Sequence, residues 1–156
     1  MAAGEFAQIT KYLESAPNQG AEWVGDHDLY AALVDTAVRE RNEAKLRRYA
    51  PLAEETATRY GHRLYQAIAS RAWGVLHLMD KQPKLAQVRL EQALNIFTEL
   101  ETQWQIGRTY FELFGIAKSS GEKEKAKNYL SLSQSAFEKA GAVFEIELVQ
   151  ETQKTF

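Results

Sequence analysis

The sequence predicts an all-helical repeat protein on three observations. Helix formers dominate around sparse proline, apolar residues recur at three- and four-residue spacing, and a pattern of residue size returns every forty positions. The only prolines, Pro17, Pro51 and Pro83, leave long uninterrupted windows. In one of these, Leu85, Ala86, Val88, Leu90, Ala93, Leu94, Ile96, Phe97 and Leu100 trace a broad apolar stripe expected to be buried. In the next, Tyr110, Phe111, Leu113, Phe114 and Ala117 do the same. Nothing alternates with period two over a useful length, so no strand is expected.

These windows place helices near 4–15, 27–40, 43–60, 63–79, 83–100, 104–118, 123–140 and 143–153, about seven to eight in all. Residues 1–26 read as an N-terminal helix and linker, and 27–156 as the repeat domain. Pro17 lies in Ser15-Ala16-Pro17-Asn18-Gln19-Gly20, the clearest loop of the chain. Pro83 suits the first turn of a helix, where its missing N–H costs nothing. Pro51 sits inside a helical run and predicts a kink or a shifted boundary near Arg47 to Ala50. Asp26 reads as a helix N-cap followed by acidic residues in the first turn. Gly4-Glu5-Phe6 also reads as a cloning scar, in which case the chain is a fragment of something longer.

At an offset of forty, Leu46, Ala86 and Ala126 correspond, as do Ala50, Leu90 and Leu130. Ala53, Ala93 and Ser133 stay small, while Ala57, Phe97 and Phe137 go from small to aromatic. Leu64, Trp104 and Phe144 each open a following helix. Size and polarity repeat more than identity, which is what stacked helices require.

This pattern resembles the tetratricopeptide repeat family over roughly residues 27–150. The match is best in residues 67–100, where Trp73-Gly74 supplies the bulky–small pair and Ala86, Leu90, Ala93 and Phe97 follow. The next repeat keeps Tyr110, Leu113, Gly121 and Ala126, with Phe114 at the small position and its glycine displaced by one, to Gly115. The first repeat has Val34 there and no turn glycine. The period exceeds the family's usual length of about thirty-four residues. It is similar to the long variant in C-terminal repeats of bacterial signalling ATPases, kinases and transcription regulators. The resemblance implies a right-handed α-solenoid of antiparallel helix pairs, with Gly74 at a close helix approach.

Composition narrows the function. Of the 156 residues, 45% are apolar and 26% charged, the balance of a globular protein. A net charge of −2 supplies no basic field for nucleic acid. No apolar run is long enough to span a bilayer, and the N-terminus lacks the form of a secretion signal, so a cytoplasmic protein is expected. With no cysteine there is no disulfide, thiolate metal site or cysteine nucleophile. His27, in Asp26-His27-Asp28, fits a helix start better than a metal site, and His62 and His77 lack the spacing of a helical zinc pair. No phosphate-binding loop occurs, and Ser131, Ser133 and Ser135 have no histidine near them in sequence. No catalytic residue, cofactor or metal is therefore assigned.

What the resemblance implies about function is a concave groove lined by the first helix of each pair. Its positions fall on Asp35, Val38 and Arg39, then Ile68, Arg71, Val75 and Met79, then Arg108, Phe111, Glu112 and Lys118. The carboxylate clamp of some family members needs lysine and asparagine where Ala31 and Asp35 stand, which argues against a chaperone tail. The expectation is a non-enzymatic scaffold that binds a protein or peptide segment there, and self-association is compatible with it. The alternative is an effector-sensing C-terminal domain of a signalling ATPase, kinase or transcription regulator. Arg71 and Arg108, three residues short of the repeat, would grip one ligand together; otherwise they pair with Glu112 or other carboxylates.

Overall fold

In a computed structural model, residues 26–156 are described, with side chains from Asp28 onward. The expected helix at 4–15, the loop around Pro17 and the side chains of Asp26 and His27 lie outside the described residues. Among the described residues there are seven helices and no strand: α1 (Asp26–Glu40), α2 (Glu43–Arg59), α3 (Arg63–Met79), α4 (Pro83–Glu99), α5 (Gln103–Ser119), α6 (Lys123–Ala140) and α7 (Val143–Thr155). Every boundary falls within two residues of its expected position.

The turns are built alike. A residue of positive φ stands at Arg41, Gly61, Lys81, Glu101, Gly121 and Gly141, one every twenty residues. At each, the N–H of the following residue returns to a carbonyl five positions back, as from His62 to Ala57 (2.9 Å), Gln82 to His77 (2.8 Å) and Glu122 to Ala117 (2.9 Å). The left-handed residue donates three positions back, as from Gly61 to Thr58 (3.1 Å). These paired bonds form the Schellman motif, which satisfies carbonyls that a helix end leaves open. The next helix starts two residues later each time, so the half-repeat is twenty residues and the full repeat forty. Asn42 adds a side-chain cap, accepting from the Lys45 N–H at 3.0 Å.

Residues equidistant from a turn meet across it, so consecutive helices run back along one another. Ser70 Oγ donates to the Arg89 carbonyl (2.9 Å) in α3–α4, and Ser133 Oγ to the Gly107 carbonyl (2.8 Å) in α5–α6. Helices two apart also join. The Tyr65 hydroxyl donates to Asp28 (α3 to α1) and Arg89 pairs with Glu54 (α4 to α2), across 37 and 35 residues. Four of the forty-residue correspondences fall in the core: Leu46, Ala86 and Ala126, Ala50, Leu90 and Leu130, Ala53, Ala93 and Ser133, and Ala57, Phe97 and Phe137 are buried. The fifth does not, since Leu64 and Trp104 are half-buried and Phe144 is exposed.

Three expectations need correction. Of the kink or shifted boundary expected at Pro51, the shifted boundary is absent, because α2 runs through that residue. Pro51 is exposed, so the Arg47 carbonyl that it leaves without a donor is on the solvent side of the helix. The α4 stripe is narrower than expected: Ala86, Leu90, Ala93 and Phe97 are buried, but Leu85, Val88 and Leu100 are exposed. Gly115 is not a site of close approach, since a Cβ there would meet nothing within 4 Å. That role falls to Gly107, where a Cβ would lie 2.7 Å from Phe137 Cδ1, as one at Gly74 would lie 2.7 Å from Leu90 Cγ.

The last helix differs from its counterparts. Forty residues on from Gly107 and Phe114 in α5 stand Glu147 and Lys154, and Gln150 follows Tyr110. All three are exposed, so α7 is polar where α3 and α5 receive the helix that follows them. Val149 is buried and Ile146 packs against the core, while Val143, Phe144 and Leu148 are exposed elsewhere on its surface.

Two outcomes test this packing by thermal unfolding. Gly107→Ala should destabilise the protein by about 1–3 kcal/mol through overpacking, whereas Gly115→Ala should stabilise it by up to about 1 kcal/mol through helix propensity alone. Equal responses would mean that Gly107 is not in close contact. Lys81→Gly and Glu101→Gly should each raise stability by about 1 kcal/mol, because only glycine adopts the left-handed conformation without steric cost. A lower melting temperature in either would show that the native side chain holds its turn.

Candidate partner-binding cleft

The sequence places four arginines where α1, α3 and α5 converge. Asp35 of α1 accepts from Arg71 of α3, and from Arg108 Nη1 of α5 at 3.2 Å to each carboxylate oxygen. Burial pushes the Asp35 carboxyl upward, but the charges of Arg71, Arg108 and Arg39 outweigh it and hold it below the ordinary value. Burial first, and then the neighbouring Arg71 charge, draw Arg108 down to about 10, which still leaves it a cation at neutral pH.

Arg71 is 0% exposed. Its guanidinium lies 5.3 Å from the Phe97 ring centroid, and its Nη1 donates to the Gln105 carbonyl at 3.5 Å. Arg71 Nε and Gln105 Oε1 are buried without a hydrogen-bond partner. The two arginines expected to grip a ligand do converge, but on Asp35 inside the protein. Charge reversal at Arg71 would bury a carboxylate against Asp35. Val75, also expected on the groove wall, is buried as well, and Met79 is half-buried against the core. Lys118 is exposed away from the others, 5.7 Å from the Phe114 and Phe156 rings.

The remaining expected residues, Arg39, Arg108, Phe111 and Glu112, share one cleft of about 270 Å³. Val38 completes its α1 side, Phe137 comes from α6, and Phe144, Glu145 and Leu148 come from α7. Polar links tie its walls together: Arg41 to Glu112 at 2.7 Å, Arg39 to Glu145 at 3.9 Å, and the Trp104 indole N–H to Glu145 at 3.0 Å. Arg108 and Arg39 stack over Trp104 at 4.9 and 5.5 Å. Phe144, 72% exposed, is the most open large apolar residue of the wall.

Sequence reasoning missed Arg41, Phe144, Glu145 and Leu148 as cleft residues. A signal existed for Leu148, which lies forty residues beyond Arg108 and eighty beyond Ile68, both assigned to the groove. Arg41 occupies a turn and carries no such signal. A second, more polar depression lies between α2, α3 and α4, lined by Glu54, Ser70, Arg89 and Gln92 among others. Its polar groups bond one another.

No helix among the described residues is long and apolar enough to cross a membrane. Among them, no three His, Asp or Glu side chains are placed to hold a metal ion. No protein-family model matches the chain, and neither a curated protein nor a solved structure matches it.

Removing the shared carboxylate tests the centre of this cluster. Asp35→Asn leaves the buried Arg71 charge uncompensated and should cost about 3 kcal/mol at neutral pH in denaturant unfolding. Because folding lowers the Asp35 value, its contribution is complete above the ordinary 3.8 and is lost as pH falls from there through the folded value. The gap between parent and variant should therefore close on the acid side. A variant as stable as the parent at neutral pH would remove Asp35 from this role.

Proposed function

We propose that this chain is a non-enzymatic protein-interaction module. In this reading its helix hairpins stack as a right-handed, tetratricopeptide-like α-solenoid whose cleft receives a segment of a partner protein. The observation that carries it is the cleft itself, in which exposed Phe144 and Leu148 stand opposite arginines. Exposed apolar side chains beside guanidiniums are the combination that anchors a peptide, with burial supplying affinity and arginine supplying orientation. The twenty-residue turns and the links between helices two apart support the stacked arrangement.

A second reading, an effector-sensing domain of a signalling ATPase, kinase or transcription regulator, is favoured by the ion pairs across the cleft. A ligand that displaced Glu145 from Arg39 would change how α1 sits against α7.

Affinity capture from the source organism's lysate tests the first reading. The wild-type chain should retain a partner that Phe144→Ser/Leu148→Ser loses, with the two proteins melting within about 0.5 kcal/mol of each other because both residues are exposed. Capture of the same partner by both chains would exclude the cleft as the binding surface.

A further inference from the structure

The interaction reading leaves open what kind of segment fits the cleft, and the distribution of charge within it answers that. Counted as groups, the cluster is nearly balanced, with Arg39, Arg41, Arg71 and Arg108 against Asp35, Glu112 and Glu145. Counted by access to solvent it is not. The Arg41 side chain is 50% exposed and its partner Glu112 only 7%; Arg39 is 37% exposed and Glu145 17%. In both pairs the carboxylate lies beneath its arginine, and at Arg41 the guanidinium is the charged group presented to solvent at the mouth.

The Arg41 guanidinium has five donors in a fixed fork, and its contact to the buried Glu112 carboxylate uses only part of that capacity. Outward-facing N–H groups therefore remain able to receive a second acceptor. Beside them lies an apolar strip, Phe144 and Leu148 of α7 above the half-buried Phe111 of α5. A complementary occupant carries carboxylates along one edge and large apolar side chains along the other.

We infer that the cleft binds an acidic amphipathic peptide segment of a partner protein, a carboxylate on Arg41 and its apolar side chains on Phe144 and Leu148. The inference rests on the interaction reading and adds the sign of the partner's charge. A nucleic acid fits less well. Phosphate recognition draws on an extended basic track, whereas this patch is short, flanked by apolar surface and set in a chain of net charge −2.

Fluorescence anisotropy on the full chain tests it with three labelled probes. The first is a short synthetic peptide with leucines at i, i+3, i+4 and i+7 and glutamates between them. The second is the same peptide with lysine for every glutamate, and the third a single-stranded oligonucleotide. The glutamate peptide should bind at least about tenfold more tightly than the lysine peptide, and the difference should shrink as salt is raised. Arg41→Glu should weaken the glutamate peptide and strengthen the lysine peptide. Phe144→Ser should weaken both peptides while the helical signal is unchanged.

Equal binding of the two peptides, still lost in Phe144→Ser, would overturn the charge inference and leave the interaction reading standing. No binding of either peptide, or tighter binding of the oligonucleotide, would also overturn it. So would sedimentation of the probe-free chain as a dimer that Phe144→Ser converts to monomer, since the occupant would then be a second copy.

Discussion

The left-handed turn residue that recurs every twenty positions is the constraint on which the rest of this structure depends. Ending each helix with the same pair of hydrogen bonds gives every connection the same length and geometry. The next helix then begins in the same rotational phase, and its apolar face meets the preceding one without adjustment. The buried rows at forty-residue spacing follow from that phase. A helix one residue longer would turn every later side chain by about 100°, so the half-repeat tolerates little variation. Three of the six turns accept the strain of a side chain at positive φ, at Arg41, Lys81 and Glu101, to keep the register.

Within that frame the polar chemistry is concentrated where α1 crosses the later odd-numbered helices. Asp35 is the common acceptor for two arginines from two helices, and Arg41 and Arg39 extend the network to α5 and α7. Buried ion pairs contribute little net stability when weighed against apolar replacements, yet breaking one is costly. Their effect here is to fix the position of α1 relative to α5, and hence the width of the cleft between them. The Arg41 contact turns its guanidinium outward over Glu112, so a link that holds the cleft open also leaves a cation at its edge.

The helices were legible in the sequence because their punctuation is local. Pro83 marks the start of α4, glycines mark three of the turns, and apolar spacing fills the segments between. Pro51 shifts no boundary, an outcome that depends on which side of the helix it occupies, and it lies on the solvent side. The choice between Gly107 and Gly115 depended on what faces each one across the hairpin, and Phe137 is twenty-two or more residues from either. The cleft was half legible. The family resemblance put Arg39, Arg108, Phe111 and Glu112 on one surface, but it could not show that Arg71 points into the protein. Burial there is decided by Asp35, 36 residues away on a different helix. The α7 wall was not assigned to the groove because apolar residues opening a last helix look the same in sequence whether they are covered or exposed.

The separations spanned by these links carry a consequence for how the molecule assembles. Connections between helices two apart close loops of 35 to 37 residues, at Glu54–Arg89, Asp35–Arg71 and Asp28–Tyr65. The cleft needs longer closures, 71 residues for Arg41 to Glu112 and 73 for Asp35 to Arg108. Near-neighbour contacts carry a smaller entropic cost than distant ones and form first. Folding can thus begin at any hairpin and spread outward, with the cleft completed only once α1, α3 and α5 are stacked. A chain that has most of its helices but not yet its full stack would look nearly native by helix content and still lack the cleft.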